Sequence, residues 1–301
     1  MVKLAQLKGH LWGIIAVLIL IVSTSLFFIP VLIIGLLKLF PNQKWRICCT
    51  RAIDYIVAYW CDMNNAYIDL TQKINWQIQG IDKLNLNQDN WYLVIANHQS
   101  WLDIVLLQRL FNRRIPMLKF FIKDQLKWVP LLGFAWWSMG MPFMKRYSKE
   151  YLLKNPEKKG QDLQATRKAL ELFKKVPSSV INFIEGTRFT PEKKASRHSP
   201  YQNLLQPKAG GVSFAISAMS EQIQSLLDVT IVYPDKNHSL WDFLCLRMHN
   251  ITVDVRCLPI PGKFVNSLLA DDNKLQMEFR DWLNELWAQK DLLINDLQGK
   301  L

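Results

Sequence analysis

One uncharged stretch limits what this chain can fold into more than any other feature. Residues Leu11–Leu37 form a run of 27 residues without an Asp, Glu, Lys or Arg side chain. A helix of this length extends ~40 Å, which exceeds the ~30 Å hydrocarbon core of a bilayer. The run is also longer than the ~7–15-residue core of a signal peptide, and no A-x-A cleavage pattern follows it. It therefore predicts an uncleaved membrane anchor.

The path of this anchor has two interpretations. Pro30 and the polar cluster at residues 23–25 could kink one spanning helix, or divide two shorter helices that enter the membrane and return. Two lysines precede the run, and four cations follow it at Lys38, Lys44, Arg46 and Arg51. This excess places the rest of the chain in the cytoplasm, at the inner membrane if the protein is bacterial. We expect a membrane anchor over residues 1–45 and a cytoplasmic domain over residues 46–301.

Charge and cysteine usage narrow the classes of partner. The formal net charge of +12 favours anionic partners such as phosphorylated substrates and anionic membrane lipid. Because the cations surround apolar runs and no recognition motif is present, a nucleic acid partner is not expected. The five cysteines are odd in number and include no Cys-x-x-Cys pair, which argues against a disulfide framework or a zinc site. We expect no bound metal and no cofactor.

After the anchor, strand-like and helix-like segments alternate along the chain. Strand patterns occupy residues 76–79, 91–96, 179–184, 229–233 and 251–257. Helical patterns occupy residues 101–110, 158–175, 211–219 and 275–294. Strands separated by helix-length segments predict an α/β fold with a single mixed, partly parallel sheet flanked by helices. A second uncharged run, Trp128–Met144, is short for a membrane span; it indicates either an interfacial or acyl-lining surface, or an ordinary buried segment.

Polar residues follow two of the predicted strands at the point where each strand ends. His98 and Asp103 follow the strand at 91–96, and Glu185, Gly186, Thr187 and Arg188 follow the strand at 179–184. Because ligands bind beyond the carboxyl ends of strands in open α/β sheets, we expect both clusters to face one crevice.

The spacing of His98 and Asp103 admits two interpretations. If His98 lies in the turn and a helix begins near Ser100, the imidazole can fold back onto the carboxylate in the first helical turn. A His so oriented removes a proton from a nucleophilic hydroxyl, while the carboxylate stabilises the imidazolium. Alternatively, Ser100-x-x-Asp103 is a capping pattern, and His98 is an ordinary loop residue.

Three further features have a functional and an ordinary interpretation. The guanidinium of Arg188 suits a phosphate group, and Gly186 allows close backbone approach, yet Gly-Thr is also a common turn. Lys145 and Arg146, directly after the second apolar run, indicate either a second phosphate clamp or a basic pair at a membrane surface. Ser213 lies in a Gly-x-Ser-x-Ala sequence that approaches the nucleophile elbow of α/β-hydrolases, but no clean strand leads into it.

Taken together, these segments resemble the glycerolipid acyltransferase family, and within it the lysophosphatidate acyltransferase branch. His98 and Asp103 resemble the family's His-x-x-x-x-Asp motif, and Phe183–Arg188 resembles its phosphate-binding block, with Ile184 where Pro is usual. Phe143–Arg146 and Val232–Pro234 resemble two further blocks of the family. The segment Leu204–Gly210 is similar to that of the lysocardiolipin and lysophospholipid acyltransferase subgroup.

This resemblance implies a membrane-bound O-acyltransferase. The acyl donor would be acyl-CoA or acyl-carrier protein, and the acceptor a lysophospholipid, with lysophosphatidic acid first and another lysophospholipid in membrane remodelling as the alternative. His98 and Asp103 would be catalytic, and the acceptor phosphate would be held by residues of two segments: Lys145, Arg146, Glu185, Gly186, Thr187 and Arg188. A serine esterase using Ser213 and a non-catalytic protein that binds anionic membranes are the alternatives from other classes.

Overall fold

The structure is a computed structural model, and it describes residues 2–144, 174–219, 222–235, 238–265 and 272–299. The helices are α1 (Val2–Leu37), α2 (Gln43–Thr71), α3 (Leu102–Phe111), α4 (Leu132–Ser138), α5 (Pro191–Ser196), α6 (Ala209–Ala218), α7 (Leu240–Leu244), α8 (Gly262–Val265) and α9 (Asn273–Gly299). The strands are β1 (Asn75–Gln79), β2 (Trp91–Ala96), β3 (Leu118–Phe120), β4 (Ile122–Lys123), β5 (Phe143–Met144), β6 (Ser179–Phe183), β7 (Ile223–Val232) and β8 (Asn250–Pro259). Short 3-10 turns occupy Ile81–Lys83 and Asp124–Trp128.

Six strands form one mixed sheet in the order β1-β8-β7-β2-β6-β3. Strands β7, β2, β6 and β3 run parallel to one another, whereas β8 pairs antiparallel with β7. Strands β4 and β5 form a separate two-stranded ladder. The predicted fold class, a mixed and partly parallel sheet flanked by helices, is confirmed. Because β2 and β6 are parallel neighbours, their carboxyl ends lie side by side.

The two faces of the sheet are each covered by helices, because successive side chains of a strand point to opposite faces. Leu93 and Ile95 of β2 pack in a cluster with α6 and α9, whereas Tyr92 and Val94 pack in a cluster with α2 and α3. Strand β2 is therefore buried on both faces, which explains why its sequence is a continuous apolar run.

The N-terminal run forms one helix rather than two. Helix α1 continues through Pro30, which agrees with the interpretation of a single helix and not with a division at Pro30 or at residues 23–25; the turn lies at residues 38–42, before α2. The segment Gln6–Leu37 is long and apolar enough to cross a membrane. Helix α2 is absent from the sequence expectations, because its buried residues form a narrow stripe among polar ones. Helix α2 includes residues 45 and 46, between which the domain boundary was expected. That boundary stays a prediction.

Other segments differ from expectation mainly at their ends. Helix α3 begins at Leu102 rather than at residue 101, and β7 starts at Ile223, six residues before the predicted strand. Most of the helix expected at residues 158–175 lies outside the described residues. The run Trp128–Met144 is divided between α4, whose Ala135 and Ser138 are buried, and an exposed segment before it.

Candidate active site

The site is built on the loops that follow β2 and β6. These strands are paired up to Ala96 and Phe183, so the two loops leave the sheet at adjacent positions. The N–H of Phe189 donates to the carbonyl oxygen of His98 at 2.7 Å, which ties the second loop to the first. The two polar clusters of the sequence therefore meet at one edge of the sheet, as expected.

His98 and Asp103 are in direct contact. His98 Nδ1 lies 2.7 Å from Asp103 Oδ2. Helix α3 begins only at Leu102, so His98 sits in the preceding turn and its ring folds back onto the first helical turn. The same Oδ2 accepts hydrogen bonds from the backbone N–H groups of Gln99 at 2.7 Å and Ser100 at 3.0 Å. The two interpretations of this motif are thus compatible, because one carboxylate binds both the imidazole and the amides at the helix start.

Tyr233 completes the surroundings of Asp103, and sequence reasoning did not identify this role. Its hydroxyl donates to Asp103 Oδ1 at 2.5 Å, and both side chains are buried. Burial, together with the adjacent Asp103 charge, raises the pKa of Tyr233 well above its ordinary value, so the phenol remains a donor. The available signal was the Val232–Pro234 block, which marks Tyr233 without indicating its partner.

The ring of His98 is held by packing as well as by Asp103. It stacks on Phe183 with ring centroids 4.0 Å apart, and 13% of its side chain is exposed. Since Nδ1 faces the carboxylate, Nε2 is the nitrogen that can accept a proton from a substrate. This arrangement is suited to general-base chemistry at a hydroxyl group.

Glu185 bridges two segments of the backbone in this site, and its expected role at the acceptor phosphate stays a prediction. It is fully buried, and its Oε1 and Oε2 accept the backbone N–H groups of His98 and Leu205, each at 2.8 Å. Both oxygens are therefore directed at the chain rather than at a substrate. Burial raises the pKa of Glu185 to about 7, although the two backbone N–H groups lower it.

Asn97 fixes the end of β2 from the other side. Its amide group donates to the carbonyl oxygen of Ile231 and accepts from the N–H of the same residue, both at 2.8 Å. The side chain thus bonds to β7 as a neighbouring strand would, just before the turn that contains His98. Together, Asn97 and Glu185 hold both flanks of the backbone at His98.

The Gly186–Arg188 segment lies at the surface beside the His98–Asp103 dyad. Gly186 has a φ of +69°, a conformation that L side chains rarely adopt, and the side chain of Lys208 lies against it. The guanidinium of Arg188 stacks over the ring of Trp101, 4.8 Å from its centroid. Lys193 Nζ donates to Thr187 Oγ and to the Arg188 carbonyl oxygen, each at 3.0 Å.

Three further residues have expected roles: Lys145, Arg146 and Ser213. Lys145 and Arg146 lie outside the described residues, so their assignment to the phosphate site stays a prediction. Ser213 is in the interior of α6, where its hydroxyl donates to the Gly210 carbonyl oxygen at 3.1 Å, rather than at a strand-to-helix turn. Within the ranges that the structure describes, no three His, Cys, Asp or Glu residues are grouped so that they could hold a metal.

Comparison with known proteins identifies a family and several relatives of this chain. A model of the Acyltransferase family matches residues 77–234. The Mus musculus protein named 1-acyl-sn-glycerol-3-phosphate acyltransferase epsilon is 26% identical over 235 residues, covering 69% of this chain and 58% of that protein. The Saccharomyces cerevisiae protein named 2-acyl-1-lysophosphatidylinositol acyltransferase is 23% identical over 239 residues, covering 67% of this chain and 60% of that protein. The chain thus spans about three fifths of the length of these relatives.

A solved structure shares the fold. The crystal structure of the 1-acyl-sn-glycerophosphate (LPA) acyltransferase PlsC from Thermotoga maritima matches with a TM-score of 0.51 at 19% identity, covering 96% of this chain and 98% of that one. At this level of identity the likeness concerns the fold alone. The family match, by contrast, spans more than half of the chain and includes the dyad, the Glu185–Arg188 block and Tyr233. The chain is a member of the Acyltransferase family.

Proposed function

We propose that this protein transfers a fatty acyl group from a thioester to the free hydroxyl of a lysophospholipid. The observation that carries the proposal is the contact between His98 Nδ1 and Asp103 at 2.7 Å, on a loop tied directly to the one that bears Arg188. A base and a cation on neighbouring loops suit an acceptor that has a hydroxyl and a phosphate a short distance apart.

The proposed reaction proceeds in one displacement. His98 Nε2 takes the proton of the acceptor hydroxyl, and the oxygen attacks the thioester carbonyl carbon. The bond between that carbon and sulfur then breaks, and the proton on His98 passes to the leaving thiolate. Asp103 stabilises the imidazolium between these steps. No acyl-enzyme is needed, because the acceptor supplies the nucleophile.

Arg188 is our candidate for binding the acceptor phosphate, since a guanidinium can donate two parallel hydrogen bonds to it. Lysophosphatidic acid is the first acceptor that we propose, in line with the name of the mouse relative. Lysophosphatidylinositol is the second candidate, because a yeast relative of similar identity is named for it. For the donor we propose acyl-CoA or acyl-carrier protein.

The apolar helix supports membrane association, and its contacts suggest how it is placed. Near one end of α1, Arg247 Nη2 donates to His10 Nε2 at 2.8 Å; just after the other end, Lys38 Nζ donates to the Ser138 carbonyl oxygen at 2.9 Å. These contacts lie ~40 Å apart along the helix axis. We propose that α1 lies along the membrane face of the domain, with its outward apolar side in the lipid. We further propose that the domain is cytoplasmic, on the basis of the flanking charges alone.

The mechanism is tested by replacing the dyad. In purified protein in detergent, His98→Ala and Asp103→Asn should each lower kcat for acyl transfer by ~10²–10⁴-fold, the usual contribution of a general base. Ser213→Ala is the matched control, and it should retain activity. Near-normal turnover in both dyad variants would exclude the mechanism, and loss in Ser213→Ala would instead favour the esterase alternative. Lipid binding without any product in the unaltered protein would favour a non-catalytic membrane-binding protein.

A further inference from the structure

The segment at residues 126–132, just before α4, exposes more apolar surface than a water-facing loop normally does. Trp128 is 78% exposed and Leu131 is 64% exposed, and Leu126 and Leu132 are also exposed. The sequence left open whether this region is interfacial or buried. Isolated apolar residues on a surface are ordinary, but four within seven residues form a patch that requires an explanation.

The backbone holds this patch in a defined shape. The N–H of Leu132 donates to the Pro130 carbonyl oxygen at 2.7 Å, closing a three-residue turn around Leu131. Leu131 has a φ of +63°, which is unfavourable for a bulky side chain. A strained backbone that presents an exposed leucine is more easily explained by a contact outside the chain than by the needs of the fold.

The patch is continuous with the apolar helix. Helix α4 packs against the last turns of α1, where a Cβ on Gly35 would lie 2.1 Å from Ser138 Oγ, so this approach requires glycine. Beyond that contact, Ile33, Leu36 and Leu37 of α1 are exposed, as are Leu39 and Phe40 after it. The two exposed surfaces therefore adjoin each other.

Charge near the patch fits a lipid surface. Lys127 Nζ lies 5.4 Å from the centroid of the Trp128 ring and also pairs with Asp124 at 2.8 Å. A tryptophan with an adjacent lysine is the combination found where a protein meets lipid headgroups. The exposed Lys123 adds positive charge beside it.

We infer that the 126–132 segment is a second membrane-contact element, which inserts Trp128 and Leu131 into the headgroup boundary of a phospholipid bilayer beside the end of α1. This inference rests on the proposed membrane association of α1. The segment follows β3, whose carboxyl end lies at the same edge of the sheet as His98. A contact here would hold that edge against the bilayer that contains the acceptor.

The inference is tested with a fluorescent label whose quenching shows whether it lies in lipid or in water. In full-length protein with the exposed Cys48 and Cys257 replaced by Ser, an NBD label is attached at Trp128→Cys. Ile33→Cys on α1 is the reference, and Leu292→Cys, equally apolar and 65% exposed on α9, is the matched control. Each protein is reconstituted into vesicles of phosphatidylethanolamine and phosphatidylglycerol. Leu131→Cys provides a second position in case the Trp128 variant does not fold.

We expect nitroxide-labelled lipid to quench the label at 128 several-fold more than the label at 292, and aqueous iodide to do the reverse. If iodide quenches position 128 as strongly as position 292 while position 33 stays protected, the inference is wrong and the membrane role of α1 survives. If iodide also reaches position 33, the proposed membrane association is wrong, and the inference falls with it. Acyl transfer measured on the same vesicles reports separately on the proposed reaction.

Discussion

At the scale of single residues, the geometry of the site depends on the hydrogen bonds that one carboxylate accepts. Asp103 is buried, and its two oxygens accept from the imidazole of His98, two backbone amides and the Tyr233 hydroxyl. A buried carboxylate with this many donors is held in a single orientation. The imidazole that it binds therefore also has one stable position.

Removing the Tyr233 hydroxyl should weaken this arrangement without dismantling it. Tyr233→Phe takes one donor from a charged acceptor, an interaction worth ~1.5–3 kcal/mol, so we expect kcat to fall about 10- to 100-fold. Measuring kcat of the purified variant provides the test.

Tyr92→Phe is the control for this experiment. Tyr92 is also a buried tyrosine, but its hydroxyl accepts from Asn87 at 3.1 Å near the opposite end of β2. Its removal should leave kcat unchanged. A Tyr233→Phe enzyme indistinguishable from Tyr92→Phe would show that Tyr233 does not position Asp103.

At the scale of elements, the loops after β2 and β6 act as one unit. Three contacts join them: Glu185 to the N–H of His98, the N–H of Phe189 to the His98 carbonyl oxygen, and Arg188 on the ring of Trp101. Of these, the last involves an exposed cation, the group that we propose binds the acceptor phosphate. The indole of Trp101 holds the guanidinium over its ring.

A double-mutant cycle tests that coupling. Arg188→Ala should raise the KM for lysophosphatidic acid with little change in kcat, because it removes a binding contact. Trp101→Ala should raise the same KM about 2–5-fold, the usual worth of an exposed cation–π contact, and Trp101→Phe should restore much of the loss. In the Arg188→Ala background, Trp101→Ala should have no further effect. Additive losses in the double variant would mean that Trp101 acts independently of Arg188.

At the scale of the whole molecule, the free energy of unfolding depends on the protonation of the buried Glu185. Its pKa of about 7 in the folded protein exceeds the 4.5 of a free side chain. The folded protein therefore binds more protons than the unfolded chain between these two values. Consequently, the free energy of unfolding contributed by this group falls as pH rises from about 4.5 to 7.

The contribution of Glu185 to the pH dependence of stability is measured by comparison with Glu185→Gln, because glutamine does not titrate. At ~1.4 kcal/mol per pKa unit, the stability of the unaltered protein relative to the variant should fall by about 2–3 kcal/mol between pH 5 and 7.5. Denaturant unfolding in detergent at the two pH values measures the difference. Glu285→Gln on the exposed side of α9 is the control, for which no such trend is expected. A pH-independent difference for Glu185→Gln would mean that Glu185 is ionised at both pH values.

Much of the architecture was predictable because it is encoded locally. The continuous apolar residues of β2 and the alternating ones of β8 indicate their strands, and the order of strands and helices indicates the sheet. The His98–Asp103 contact is similarly local, since five residues separate the two side chains and only a turn is needed to join them. Helix α2 was missed because its apolar stripe becomes recognisable only when α1 and α3 are present to cover it.

The sequence by itself determined the long apolar helix, the mixed α/β fold and the proximity of His98 and Asp103. Each of these depends on hydrophobic periodicity or on residues a few positions apart, where the geometry of the backbone leaves little choice. The tertiary structure alone decided that Tyr233, 130 residues along the chain, contacts Asp103, that Glu185 holds the backbone at His98 and Leu205, and that α1 lies against the domain near both its ends. These contacts join distant segments, and which segments meet depends on how the whole core packs rather than on any local preference.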